Sequence, residues 1–355
     1  MVTDRQPGLD ESRRAGLRRA KLMALIRSRW EVADLAPTSG IGAPGPALVE
    51  PGGDQGWVLV DPSTQGALGG ALTWGLRHSV RHLHLLVDDS ASPGTGDPDA
   101  GVLARRARAF GVPVQVWVWA APGQRLEVAE PSPVTAETLT EDPEREGYAD
   151  LMRAHGIDPL VEHGVLIGEV LGLEVARLEH GPDGTGLAIG VGRHDREARA
   201  QMRPGQSVGA GLDEVVALVR EWRAPGTERH PANALARERW LRSLVMGHPA
   251  LVGARWLDPL PALLARGDLR RSVPAAASGE GGDGRPVFVV CSTGVDLDVV
   301  PVAADYRDAT AGSPRLVIVV PAGDDVRATR DLVAALAEPA ELLAVPRDWP
   351  ATLAR

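Results

Sequence analysis

The chain is nearly devoid of lysine. Of its 38 Lys and Arg residues only Lys21 is lysine, which leaves 37 arginines in 355 residues. A Schiff base, a P-loop phosphate contact and the basic element of many nuclease sites all draw on lysine, whose ammonium is a compact charge with a readily shifted pKa. Each of those chemistries must use Lys21 or be absent. Lys21 lies in an arginine-rich segment with no glycine-rich loop beside it, so absence is the expectation. Cysteine is equally scarce. Cys291 alone leaves no intrachain disulfide and no cysteine-rich zinc site, and its place in the apolar run VFVVCS suits a small core residue better than a reactive thiol. No apolar run approaches a membrane span, and the charged first 21 residues hold no signal-peptide core. A soluble, cytoplasmic protein without a membrane partner is expected. No nucleophile elbow, no HExxH and no Cys–His pair in a convincing context is read here, so serine-hydrolase, zincin, papain-like and kinase chemistries find no support.

What is present is ordinary for a globular protein: 44% apolar and 24% charged residues, enough for two cores or one large one. The net charge of −9 argues against wholesale coating by nucleic acid but leaves room for a local basic face. Residues 10–34 read as a helix capped by Asp10, with Leu17, Leu22, Leu25, Ile26 and Trp30 as its apolar stripe. Its other face carries Arg13, Arg14, Arg18, Arg19, Lys21, Arg27 and Arg29, either a solvated face of a docked helix or a contact surface for an acidic partner. Residues 35–56 then read as a Pro/Gly connector, completing a first segment, 1–56.

Residues 57–120 alternate strand and helix: WVLVD, a helix with Gly66, Gly69 and Gly70 suited to close packing on a sheet, LHLLVDD, GVLARRARAF, and VPVQVWVW. Near-continuous apolar strands separated by helices predict a parallel sheet covered on both faces. In the third strand Gln115, Trp117 and Trp119 share one face, which predicts tryptophans packed against a helix. Residues 121–145 read as a linker. The block 146–277 opens with a helix at EGYADLMRAHG and a shorter one around DPLVEHGVL. GEVLGLEVARLEH then reads as one strand, TGLAIGVGRH as its return, 195–203 and 209–223 as helices, and 232–267 as helical pieces. SGEGGDGRP at 278–286 reads as a loop. From 287 to 349 the expectation is a strand, a segment at 295–308 that is helix or strand, a strand RLVIVV, a helix DDVRATRDLVAALAE and a strand AELLAV, a segment able to complete one of the earlier sheets. The fold class is α/β.

Three groups of residues carry possible chemistry. Asp61 and the pair Asp88–Asp89 follow apolar strands at their carboxyl ends, where open parallel sheets bind ligands. Together they would hold Mg²⁺, with Ser63 and Thr64 beside them, or else serve as caps and loop residues. His78, His82 and His84 have a spacing from which a zinc site with Asp88 can be imagined, or are helix-end and surface histidines. Ser292-Thr293-Gly294 follows a strand as a phosphate-binding turn would, but Asp296 and Asp298 come next and would repel an anion, and no GxGxxG runs through that turn.

The helix–strand–turn–strand–helix order around 155–203 resembles the PD-(D/E)XK core shared by tRNA-splicing and archaeal junction endonucleases. That resemblance implies a helical acid, Glu162 or Glu169, and a strand acid, Glu174 in GLEVARL, holding Mg²⁺. The return strand AIGVGRHD has Gly190, Gly192 and Arg193 where the family has its acid and lysine. A looser echo spans 295–340, where VIVVPAG has the same gap. The implied protein is a catalytically degenerate nuclease-like module that binds nucleic acid or a protein partner, with Arg177, Arg193, His194 and Arg196 as phosphate contacts. The alternative is a Mg²⁺-dependent enzyme acting on a phosphorylated small molecule through Asp61, Asp88 and Asp89. The arginine-over-lysine usage resembles GC-rich actinobacterial coding.

Overall fold

The computed structural model describes residues 7–32, 34–37, 43–61, 66–88, 100–120, 125–133, 142–181, 184–202, 205, 207–227, 229–261, 273–308 and 314–354. They gather into two compact units. The first comprises Met1–Val134, Asp296–Asp305 and Val326–Ala340; the second comprises Thr135–Val295, Tyr306–Asp325 and Glu341–Arg355.

The first unit begins with α1 (Pro7–Arg29), so Asp10 lies inside the helix and does not cap it. Two short strands, β1 (Ala36–Pro37) and β2 (Ala47–Val49), occupy what the composition suggested was only a connector. There follow β3 (Gln55–Val60), α2 (Ala67–Arg77), β4 (His82–Asp88), α3 (Ala100–Ala107), β5 (Val114–Ala120) and β6 (Arg125–Val128), the last inside the expected linker. The six strands lie in chain order. β3, β4 and β5 are parallel as their apolar runs predict, and antiparallel strands close both edges. Leu22, Leu25 and Ile26 of α1 are buried against Trp57, Leu59, Leu86 and Trp117. At roughly 1.5–3 kcal/mol per buried large side chain, this contact is what holds α1 on the sheet. Leu17, counted in the apolar stripe, is instead 64% exposed: it lies a full turn before the buried cluster begins. The glycines of α2 serve close packing, but against loops. A Cβ at Gly69 would stand 2.3 Å from the carbonyl oxygen of Leu297, and Gly70 faces Pro44.

The second unit opens with α4 (Pro143–Ala154), capped by Asp142, whose side chain accepts from the amides of Glu144 and Arg145. Where a helix was expected, the chain forms β7 (Asp158–Glu162) and β8 (Val165–Val170), and what read as one strand is β8 followed by β9 (Leu173–Gly181). Both turns have two residues with positive φ, His163-Gly164 (50° and 76°) and Leu171-Gly172 (47° and 79°), the geometry that lets two-residue hairpins follow strand twist. β10 (Gly184–Ile189) completes an antiparallel meander, and α5 (Gly192–Met202) and α6 (Val208–Trp222) follow. Leu212, Val215 and Val219 of α6 pack on Leu173 and Val175 of β9. Then come a 3₁₀ turn (Pro231–Ala234), α7 (Arg237–Gly247), a second 3₁₀ turn (Pro249–Val252), β11 (Ala254–Pro259), β12 (Ala275–Gly281) and β13 (Pro286–Cys291). The glycine-rich stretch 278–286 is thus the hairpin of β12 and β13 instead of a loop, and 254–259 is strand instead of helix.

Residues 299–308 settle as a helix, α8 (Val299–Asp308), because Pro301 falls in its first turn, where no amide hydrogen bond is lost. β14 (Arg315–Pro321), α9 (Arg327–Ala334), β15 (Ala340–Val345) and α10 (Trp349–Leu353) end the chain. The sheet order β11-β12-β13-β14-β15 has β13 and β14 parallel, and its core includes Trp240, Leu241, Val289, Val317 and Trp349. α9 belongs to the first unit, where it packs on α2. So does the start of α8: Asp305 is buried there between Arg105 (3.1 Å) and Arg106 (2.5 Å) of α3. No helix among the described residues is long and apolar enough to cross a membrane.

Candidate functional site

The parallel sheet brings Asp61 and Asp88 to its carboxyl edge, as β3 ends at Val60 and β4 ends at Asp88. Each carboxylate there meets a cation from α1. Arg18 reaches Asp61 at 3.1 Å, and Lys21 reaches Asp88 at 2.5 Å while lying 3.5 Å from the ring centre of Trp119. The chain's single lysine is thus part of an ion pair. A Mg²⁺ ion bound here would have to displace two basic side chains from a helix anchored by its apolar face. Asp89, Ser63 and Thr64 lie outside the described residues. Among the described residues, no cluster of three or more His, Cys, Asp or Glu side chains suited to a metal forms.

The three histidines do not converge either. His78 caps the end of α2, its Nδ1 2.9 Å from the carbonyl of Trp74, and His82 is exposed at the start of β4. His84 sits among Trp30, Trp57 and Trp117, with centroid distances of 4.9, 5.6 and 6.1 Å. Trp117 Nε1–H donates to His84 Nδ1 at 3.1 Å, so the ring proton belongs on Nε2, which faces Gln55 Oε1 at 3.2 Å. Burial, helped by the charge of His82, lowers the His84 pKa to about 4.

In the second unit the acids suggested as a nuclease-like core divide between two environments. Glu162 ends β7 and Glu169 lies on β8. The guanidinium of Arg239 on α7 spans both, with Glu162 oxygens at 2.6 and 2.8 Å and a direct hydrogen bond to Glu169, which Arg242 also holds. Glu169 is only 3% exposed. Burial alone would lower the Arg239 pKa, but the Glu169 and Glu162 carboxylates outweigh it and raise it. Nearby, Asp158 is shifted upward by burial and then by Glu169. These acids thus hold arginines. Glu174 is separate: on β9 it takes Arg177 (2.8 and 2.9 Å) and Arg196 (3.0 Å). Arg239 and Arg242 were not legible as partners, since 70 and 73 residues separate them from Glu169.

The structure does bring two of the expected phosphate contacts together. Arg193 and Arg196 on α5, joined by Arg199 one turn on, line a cavity of about 530 Å³ bounded by β10, α5 and the start of α6. Arg193 is 80% exposed along its side chain and bonds Glu197 at 2.7 Å; Arg199 bonds Asp195 at 3.0 Å. Arg177 and His194 are outside this lining; His194 is 98% exposed along its side chain and lies 3.9 Å from Glu197. Arg199 was missed in the sequence, although an Arg at every third position from 193 to 199 (Arg193, Arg196, Arg199) is helical spacing for one face.

Two turns remain. At Ser292–Gly294, Thr293 donates to Glu238 at 2.7 Å and the Gly294 amide is taken by Asp324 at 2.8 Å, an arrangement that serves carboxylates rather than phosphate. A signal missed in the sequence is Gly205-Gln206-Ser207-Val208-Gly209, which has the GxSxG form of a nucleophile elbow. The element before it is α5, whereas an elbow follows a strand. Ser207 caps α6, its Oγ accepting from the Ala210 amide at 3.3 Å. His155 bonds Asp213 at 2.6 Å on the same helix, but among the described residues no hydrogen bond joins it to Ser207. Compared with known families, curated proteins and solved structures, the chain matches none.

Proposed function

We propose that this protein is a nuclease-like module without hydrolytic machinery that binds nucleic acid through arginines of its second unit. The observation that carries the reading is the convergence of Arg193, Arg196 and Arg199 on one cavity. Guanidinium groups recognise phosphate with paired, planar N–H donors, and the carboxylates around these arginines orient them without using every donor. The degenerate character is supported by the acids themselves: Glu162 and Glu169 are engaged by Arg239 and Arg242, and Glu174 by Arg177 and Arg196. Arg13, Arg14, Arg19, Arg27 and Arg29 of α1 are further exposed cations.

Phosphate contacts release counterions, so binding of single-stranded RNA or DNA should weaken linearly in log–log salt plots, with a slope near −0.7 per contacted phosphate. An Arg193→Ala, Arg196→Ala double variant should bind more weakly and with a shallower slope. Salt-independent affinity, or wild-type affinity in the double variant, would refute the reading.

A further inference from the structure

We infer that the arginine-lined cavity of the second unit seats a ribonucleotide bearing a terminal phosphate monoester, an inference that rests on the nucleic-acid reading above. Its volume, about 530 Å³, falls within the range of small-ligand sites and is far too small for a duplex. A strand must therefore offer an end or a single unstacked nucleotide. Arg193, Arg196 and Arg199 are ion-paired with Glu197, Glu174 and Asp195, and Arg199 also with Glu214, so a phosphate would meet only their remaining donors. These suit a monoester better than an internal diester, because the monoester carries nearly two negative charges and three acceptor oxygens. Ser207 and Val208 place the N-terminus of α6 at the same cavity, and the helix dipole there adds to the attraction for an anion.

The remaining lining defines the rest of the ligand. Glu197 holds Arg193 at 2.7 Å and Glu179 lies 3.9 Å from Arg196; the carboxylate lone pairs these contacts leave open are of no use to a phosphate but suit ribose hydroxyls. Leu187 and Ile189 of β10 give an apolar wall for the sugar edge or base. No aromatic ring lines the cavity among the described residues, so base stacking, the usual source of affinity for unpaired bases, is missing. Recognition is thus of the phosphorylated ribose, with little dependence on which base it carries.

The test compares one short single-stranded RNA with a 5′-phosphate and with a 5′-hydroxyl by fluorescence anisotropy, with adenosine 5′-monophosphate as competitor. About tenfold tighter binding of the phosphorylated end, abolished by Arg193→Ala, is expected. Arg193 is mostly exposed, so this variant should fold; Arg199→Gln provides a second variant with the same expectation. Displacement by the mononucleotide at concentrations similar to the RNA would support the site and identify free nucleotide as its ligand; failure to displace, with the end preference intact, identifies the strand end. Equal affinity for both RNA ends without displacement by the mononucleotide overturns the inference and leaves salt-dependent binding standing. A preference unchanged in both variants also overturns it. If no RNA binds, the underlying reading falls with it.

Discussion

At the scale of single residues, buried charge decides what this chain can do. Glu169 is enclosed by Arg239 and Arg242, and removing one partner of such a network strands the others without water. Arg239→Leu should cost about 3–5 kcal/mol in urea unfolding, whereas a surface pair such as Arg153–Asp150 should matter by less than about 1 kcal/mol. His84 makes stability depend on pH. Its folded pKa of about 4 lies below the ordinary 6.5, so between those values the unfolded chain binds the extra proton. The His84 contribution is therefore fully present above pH 6.5 and is lost as pH falls toward 4. Thermal melts of His84→Gln should show a flatter profile from pH 7 to 5, above the range where most carboxylates titrate. Cys291, fully buried with its thiol pushed up to about 12, should resist a thiol reagent until the protein unfolds. Glu162 and Glu169 were visible in the sequence as candidate acids, although as acids of a helix, and both lie on strands. Their partners were not, because an arginine on a later helix carries no local sign of the carboxylate it will meet.

At the scale of elements, periodicity made the parallel block readable and two hairpins hid the meander. Strands of β3, β4 and β5 type announce themselves by continuous apolar residues. The Leu171-Gly172 turn does not, since leucine rarely takes a positive φ, and so β8 and β9 read as one strand. Gly172 meets two demands: its φ is 79°, and a Cβ would lie 2.3 Å from the backbone of Arg239. Gly172→Ala should destabilise by more than the roughly 1 kcal/mol of the backbone term alone, measured by denaturant titration. The docking of α1 was legible from Leu22, Leu25 and Ile26; its ion pairs with Asp61 and Asp88 were not, because they depend on where the helix comes to rest. With both carboxylates so engaged, calorimetric Mg²⁺ titration should give the same flat trace for wild type and Asp61→Asn. Metal-dependent heat that Asp61→Asn abolishes would restore the strand-end site.

At the scale of the molecule, the α/β class followed from alternation of strand and helix, while the allotment of segments to units did not. Nothing in the composition of Asp296–Asp305 or Val326–Ala340 marks them as companions of the first unit. That interleaving has a consequence in time. The six strands of the first sheet have all left the ribosome once Val128 has, yet α9, which packs on α2, is still some two hundred residues away. At roughly 5–20 residues per second the delay is about 10–40 s. Through that interval part of α2 waits uncovered while the whole meander is made, and the first unit closes only as the last strand is being translated.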